Sequence, residues 1–173
     1  MDAGRLVFLD ESGAKTNMTR LRGRAKQGAR VYDSAPSGHW STTTMISSLR
    51  LDGQTACMVL AGATDTAAFV EYVRWVLAPT LRRGDVVVLD NLSSHKDPAV
   101  RDLIEQCAAS LVYLPAYSPD FNPIEKMWSK VKELLRGAKA RTEEALFEQI
   151  GKALEQVTTH DVAGWFTSCG YII

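Results

Sequence analysis

Three short runs of bulky apolar residues constrain this chain more than anything else in it. Residues 6–9 (LVFL), 86–89 (VVVL) and 111–114 (LVYL) are unbroken, short and rich in strand formers. They read as buried strands of a sheet covered by helices. The first two are followed at once by Asp10 and Asp90, so each is expected to deliver a carboxylate at its tip.

The segments between them complete an α/β pattern. Residues 42–51 and 55–61 are strand-like and flank Asp52-Gly53, a dipeptide suited to the positive backbone angles of a tight hairpin turn. From residue 66 to 77 the apolar positions Phe69, Val70, Val73, Val76 and Leu77 recur at helical spacing, and Pro79 follows the expected end. Asp97-Pro98 supplies an N-cap and a first-turn proline for a helix to about residue 108. Pro115, Pro119 and Pro123 punctuate a loop, after which Ile124, Met127, Trp128, Val131, Leu134 and Leu135 mark an amphipathic helix with Glu125 in its first turn. Residues 142–157 and 161–168 read as two closing helices. Trp128 sits at core spacing, and Trp40, Trp75 and Trp165 are expected to pack in the same way.

Size and composition exclude several classes. A chain of 173 residues, 46% hydrophobic and 23% charged, fits one globular domain over residues 1–173. No apolar run is long enough for a membrane helix and no signal-peptide pattern opens the chain, so the expectation is a cytoplasmic protein. Cys57, Cys107 and Cys169 are odd in number and widely spaced, which supports neither a disulfide framework nor a zinc site. Formal net charge is zero, so a nucleic-acid partner must be argued from local charge. Such a locality exists: Lys15, Arg20, Arg22, Arg24, Lys26 and Arg30 lie between Ser12 and Tyr32 without one acidic residue, among glycines that disfavour a long helix.

Two strand-end aspartates and a glutamate in the first turn of a helix could meet at one edge of a sheet as hard oxygen ligands for divalent cations. Such ions neutralise and activate at an anionic phosphodiester. Each acid also has a plain structural explanation. Asp10 and Asp90 could start turns, and Glu125 could close a capping box with Asn122 as N-cap and Pro123 at N1.

The surrounding strings are more specific than the spacing. FLDESG holds Asp10; VVVLDNLSSHK holds Asp90, Asn91 and His95; LPAYSPDFNPIEKMW holds Glu125, with 34 residues (91 to 124) between the second and third acids. These segments resemble the catalytic domain of mariner-like DDE transposases, in particular the bacterial insertion-sequence branch called IS-six-thirty, over nearly the whole chain. The resemblance implies a ribonuclease-H-like mixed sheet, three antiparallel strands then parallel ones, flanked by helices. It further implies two Mg2+ (or Mn2+) ions, with Asp10 bridging both and Asp90 and Glu125 each holding one. The implied reaction is cleavage at the transposon ends, then attack by the freed 3′-hydroxyl on target DNA.

Asn91 and His95 are expected beside the second aspartate, orienting it or contacting the phosphate; merely satisfying loop backbone is the competing reading. Glu11 points to the opposite strand face and is not expected to substitute as a ligand. Lys15, Arg20, Arg22 and Arg24, with Lys126, Lys130 and Lys132 on the glutamate helix, could track a phosphate backbone or be solvated surface. Complete transposases of this kind carry helix-turn-helix modules ahead of the catalytic domain, so an upstream module is an expected partner beside DNA, and a homodimer is open. Two competing readings share the residues: a nuclease that cleaves without joining, and a catalytically silent DNA-binding remnant.

Overall fold

The computed structural model describes residues 2–173. Its centre is a five-stranded sheet in the order β3-β2-β1-β4-β5. Strands β1 (Leu6–Lys15), β2 (Thr42–Arg50) and β3 (Thr55–Ala61) form an antiparallel meander, and β4 (Val86–Leu89) and β5 (Ser110–Tyr113) continue the sheet in parallel with β1. This is the expected mixed sheet.

Side-chain alternation along β1 divides the molecule into two cores. Leu6 and Phe8 join Met45, Leu49 and Val88 beneath α3 (Pro123–Ala138), α4 (Glu143–Glu155) and α5 (Thr159–Ser168). Val7 and Leu9 face the other way, with Ile46, Val87 and Leu89, beneath α1 (Thr66–Tyr72) and α2 (Pro98–Gln106). Even-numbered residues of β1 therefore point toward α3, and odd-numbered ones toward α1 and α2. That parity decides where each carboxylate of FLDESG goes.

Local chemistry accounts for the helix starts. Asp65, Asp97 and Thr142 each accept a backbone N–H from the first turn they cap, and α5 opens on a full capping box between Thr158 and Asp161. In the β2–β3 hairpin Gly53 takes the left-handed conformation (φ +85°), and Gly53 N–H donates to Arg50 O at 3.0 Å.

Several expectations are corrected. Asp10 does not end its strand: β1 runs on to Lys15, because β2 stays paired with it as far as Lys15↔Thr42. What ends beside Asp10 is the parallel neighbour, since the β1–β4 pairing stops at Phe8↔Val88 and β4 at Leu89. The helix expected over 66–77 is α-helical only to Tyr72 and finishes as a π turn over Val73–Leu77 and a 3-10 turn over Ala78–Thr80. The closing helix starts two residues early, at Thr159, because Thr158 rather than Asp161 is its cap. Trp128 is buried and Trp165 packs on the core, as expected, but Trp40 and Trp75 are 50% and 69% exposed. Trp40 instead receives the Lys15 ammonium, 5.8 Å above its ring, and Trp75 donates to Glu71 Oε2 at 2.7 Å. No helix among the described residues is long and apolar enough to cross a membrane.

Candidate active site

Register brings the two aspartates together. Phe8 lies opposite Val88, so Asp10 and Asp90 each stand two residues further along parallel neighbours, at strands about 4.8 Å apart. Phe8 and Val88 both belong to the α3-side core, so even parity turns Asp10 to that side. Glu125 enters from above in the first turn of α3.

The electrostatics register this convergence. Asp10 is 7% exposed, and its pKa is raised from 3.8 to about 7 by burial first, then by the negative charge of Glu125, with a smaller push from Asp90. A buried carboxyl whose ionisation is opposed by burial and by neighbouring acids is a site that a cation would relieve. Backbone and side-chain contacts also leave oxygens for one. Asp10 Oδ1 accepts from Glu11 N–H (2.8 Å), and Asp90 Oδ1 takes both Leu92 N–H (3.2 Å) and His95 Nδ1 (2.6 Å), so the Oδ2 atoms are the ones left over.

The three acids do not close into a finished cage. Among the described residues no group of three or more His, Cys, Asp or Glu side chains is placed to hold an ion as it stands. Asp90 is drawn toward His95, and a shared cation requires its carboxylate to swing back toward Asp10. Glu125 and Asp90 both act on the charge of Asp10, so the three acids share one end of the sheet.

His95 holds Asp90 from beneath. It is fully buried and stacked on Phe69, with ring centroids 4.3 Å apart, and its carbonyl accepts from Tyr113 Oη at 3.0 Å. Burial works to keep the imidazole neutral, but Asp90 and then Glu11 outweigh it and push its pKa up to about 9. The contacts are close rather than well aligned: Glu11 Oε2 lies 3.9 Å from Nε2, and neither ring nitrogen has a hydrogen bond of good direction. Conversely, burial would raise the Asp90 pKa, and His95 brings it below the usual carboxylate range.

Glu11, by its odd parity, thus serves the far side of the sheet and not the acid cluster. Glu11, Phe69 and Tyr113 around His95 escaped the sequence reading. The one available signal was that Glu11 must face away from Asp10.

Asp90 and Glu125 line a cleft of about 320 Å³ with Asn91, Tyr117 and Asn122. Asn91 is exposed in it rather than packed behind Asp90. Tyr117 is fully exposed and takes a left-handed backbone (φ 57°), which turns the chain between β5 and α3.

The basic residues divide. Arg20, Arg22 and Arg24 are exposed in the long β1–β2 loop and border a groove of about 940 Å³ against Lys130 and Arg136 of α3. Lys15 is at the end of β1, and Lys126 and Lys132 are half-buried on α3. Lys130 is engaged within the fold, donating to Asp161 Oδ2 (2.6 Å) and Gln156 O (2.8 Å). The loop itself is strapped to the end of α3 by Lys139 to Asp33 (2.6 Å) and by Arg141, which donates to Thr16 O and Met18 O.

Comparison with known proteins gives the family and the fold. A family profile described as DDE superfamily endonuclease matches residues 5–147. The chain is 32% identical over 83 residues to the transposable element Tc1 transposase of Caenorhabditis elegans, covering 48% of this chain and 30% of that protein. It is 26% identical over 102 residues to the Tcb1 transposase of Caenorhabditis briggsae, covering 57% and 37%. The chain therefore spans about a third of the length of these relatives. Its fold superposes on the mariner Mos1 paired end complex with Mg (TM-score 0.58, 18% identity, 100% of this chain and 58% of that one). It also superposes on the catalytic core domain of BIV integrase (TM-score 0.54, 13% identity, 87% and 81%). The sheet and its flanking helices are the ribonuclease-H-like fold of those catalytic cores.

Proposed function

Because the chain belongs to the DDE superfamily endonuclease family, we propose that it is the catalytic domain of a DNA transposase whose site residues are Asp10, Asp90 and Glu125. The observation that carries this reading is the β1–β4 register, which sets Asp10 and Asp90 on parallel neighbours with Glu125 in the first turn of α3; the raised pKa of the buried Asp10 carboxyl agrees with it. A buried carboxyl beside two further acids is suited to hard divalent cations. Two magnesium ions, or manganese in their place, would supply charge neutralisation at the phosphodiester and activation of the attacking oxygen.

In this reading Asp10 would be shared by both ions, and Asp90 and Glu125 would each hold one. His95 would orient Asp90, and Asn91, exposed in the same cleft, is available to contact a scissile phosphate. The reaction proposed is cleavage at a transposon end followed by 3′-hydroxyl joining to target DNA. The 34-residue interval between Asp90 and Glu125 supports the insertion-sequence branch, although the curated relatives are nematode proteins. An upstream helix-turn-helix module would supply recognition of the ends, and pairing of two ends calls for a homodimer.

The test uses end-labelled DNA, with magnesium or manganese, and the chain fused to an upstream end-binding module. Wild type is expected to nick and to join a 3′-hydroxyl end into a target plasmid, and Asp90→Asn to do neither. Equal activity in the two proteins would sink the proposal. Nicking without any joined product would assign a nuclease instead.

DNA is expected to enter over the β1–β2 loop. Changing Arg20, Arg22 and Arg24 together to Gln is expected to flatten the dependence of log K on log salt by about 0.9 for each phosphate that is no longer neutralised. Anisotropy titrations across a salt series measure it. An unchanged slope would make the loop ordinary solvated surface.

A further inference from the structure

Helix α3 begins without the capping box that its sequence predicts. Asn122 stands at the N-cap with extended backbone (φ −109°, ψ 96°), yet its side chain makes no cap hydrogen bond. Its own N–H donates to Pro119 O (2.9 Å), so Glu125 does not reach back to it either. Both halves of the box are left free, although asparagine is among the residues best able to cap and removing a cap costs about 1 kcal/mol.

The unused amide is also sealed in. Asn122 is 4% exposed, and its Oδ1 is buried without a hydrogen-bond partner. A buried amide oxygen left in this way costs on the order of 1–3 kcal/mol unless something fills its place. The same residue lines the cleft shared by Asp90 and Glu125. Asn122 at the N-cap and Glu125 at N3 thus bring two oxygen-bearing side chains from one helix start to the same cleft. An uncharged amide oxygen is a hard donor of the kind that completes magnesium and calcium spheres.

We propose that Asn122 is a fourth ligand of the acid site, its Oδ1 coordinating the divalent ion that Glu125 holds. This rests on the function proposed above and adds to it a ligand outside the three acids. It also accounts for the absent cap: an amide committed to capping its own helix could not face the ion.

Manganese titration of the full chain, followed by calorimetry and by the manganese electron-spin signal, tests it without any need for turnover. Asn122→Ala is expected to weaken manganese binding roughly tenfold or more, and Asn122→Asp to bind manganese more tightly than wild type by supplying an anionic oxygen. Aspartate caps helices as well as asparagine does. A purely structural role would therefore show Asn122→Asp changing the melting temperature but not the affinity, and that result overturns the proposal. If Asn122→Ala does not fold, the comparison of Asn122→Asp with wild type decides alone. Affinity unchanged in Asn122→Ala while Glu125→Gln loses binding overturns the Asn122 assignment and keeps the acid site. Weakened DNA binding without metal, at unchanged manganese affinity, also overturns it and gives the amide to a phosphate. Absence of manganese binding in wild type overturns the underlying acid site itself.

Discussion

Asp10→Asn is expected to abolish nicking and, at the same time, to make the metal-free protein more stable at pH 8. The first effect follows from removing the proposed bridging ligand: a Lewis-acid cation contributes several kcal/mol at the transition state, and 1.36 kcal/mol per decade makes that on the order of a thousandfold in rate. The second follows from the raised pKa. Below about pH 4 the carboxyl is neutral in both folded and unfolded chains. Between 3.8 and about 7 it is neutral only in the folded chain. The stability contributed by the protonated form is therefore fully present at low pH and is lost as pH rises through 7. The gap corresponds to on the order of 4 kcal/mol at most, at 1.36 per pH unit.

An amide of the same shape needs no ionisation. Melting curves at about pH 4, where little of this difference has yet developed, should place wild type and Asp10→Asn close together, and curves at pH 8 should place the variant higher by roughly 2–4 °C for each kcal/mol recovered. Magnesium should then raise the wild type alone, because ligand binding stabilises only the form that binds it. Coincident curves at both pH values, with and without magnesium, would mean that the Asp10 carboxyl is not raised and holds no ion. The expected result describes a site stabilised by its cofactor and strained without it, as catalytic carboxylates commonly are relative to their scaffold.

What was legible beforehand follows a physical line. Unbroken apolar runs marked β1 and β4 because burial on both faces leaves no room for alternation, whereas β5 is an edge strand whose run leaves Val112 44% exposed; Asp97-Pro98 marked α2 because cap and first-turn proline act locally. The extent of β1 was not legible. Residues 10–15 are polar and include Gly13, and they are strand only because β2 pairs with them across the sheet. The Glu11–His95 contact likewise needs the parity of β1, the loop after β4 and the face of α1 at once, so no local pattern announces it. Asn122 eluded the sequence for the opposite reason. Its local pattern is that of a cap, and the fold declines to use it. Trp75 and Trp40 were placed in the core by residue type, yet the sheet faces were already filled by Phe69, Tyr72 and Phe8.

At the other end of β4 lies the ion pair whose removal is expected to damage the fold most. Arg50, 2% exposed, pairs with the buried Asp85 carboxylate and donates to Thr80 O at 3.0 Å, and Asp85 Oδ2 also accepts Arg82 N–H. Burial alone would raise the Asp85 pKa, but Arg50 holds it below the ordinary carboxylate range. Its stabilising contribution is thus present above pH 4 and lost as pH falls through the depressed value. Arg50 Nη1 already lacks a partner, so the guanidinium has no reserve. Asp85→Ala would leave a buried cation uncompensated, which costs about 3–5 kcal/mol and should lower the melting temperature by roughly 2–4 °C per kcal/mol. The double variant Arg50→Met with Asp85→Leu should recover most of that deficit, because removing both charges removes the desolvation penalty with them. Asp85 and Asp90 are separated by the whole of β4, about 3.3 Å per residue. Manganese affinity of the folded fraction should therefore be unchanged in both variants. A single variant that melts within a degree of wild type would show that water reaches Arg50 and that the pair is not sealed under the sheet.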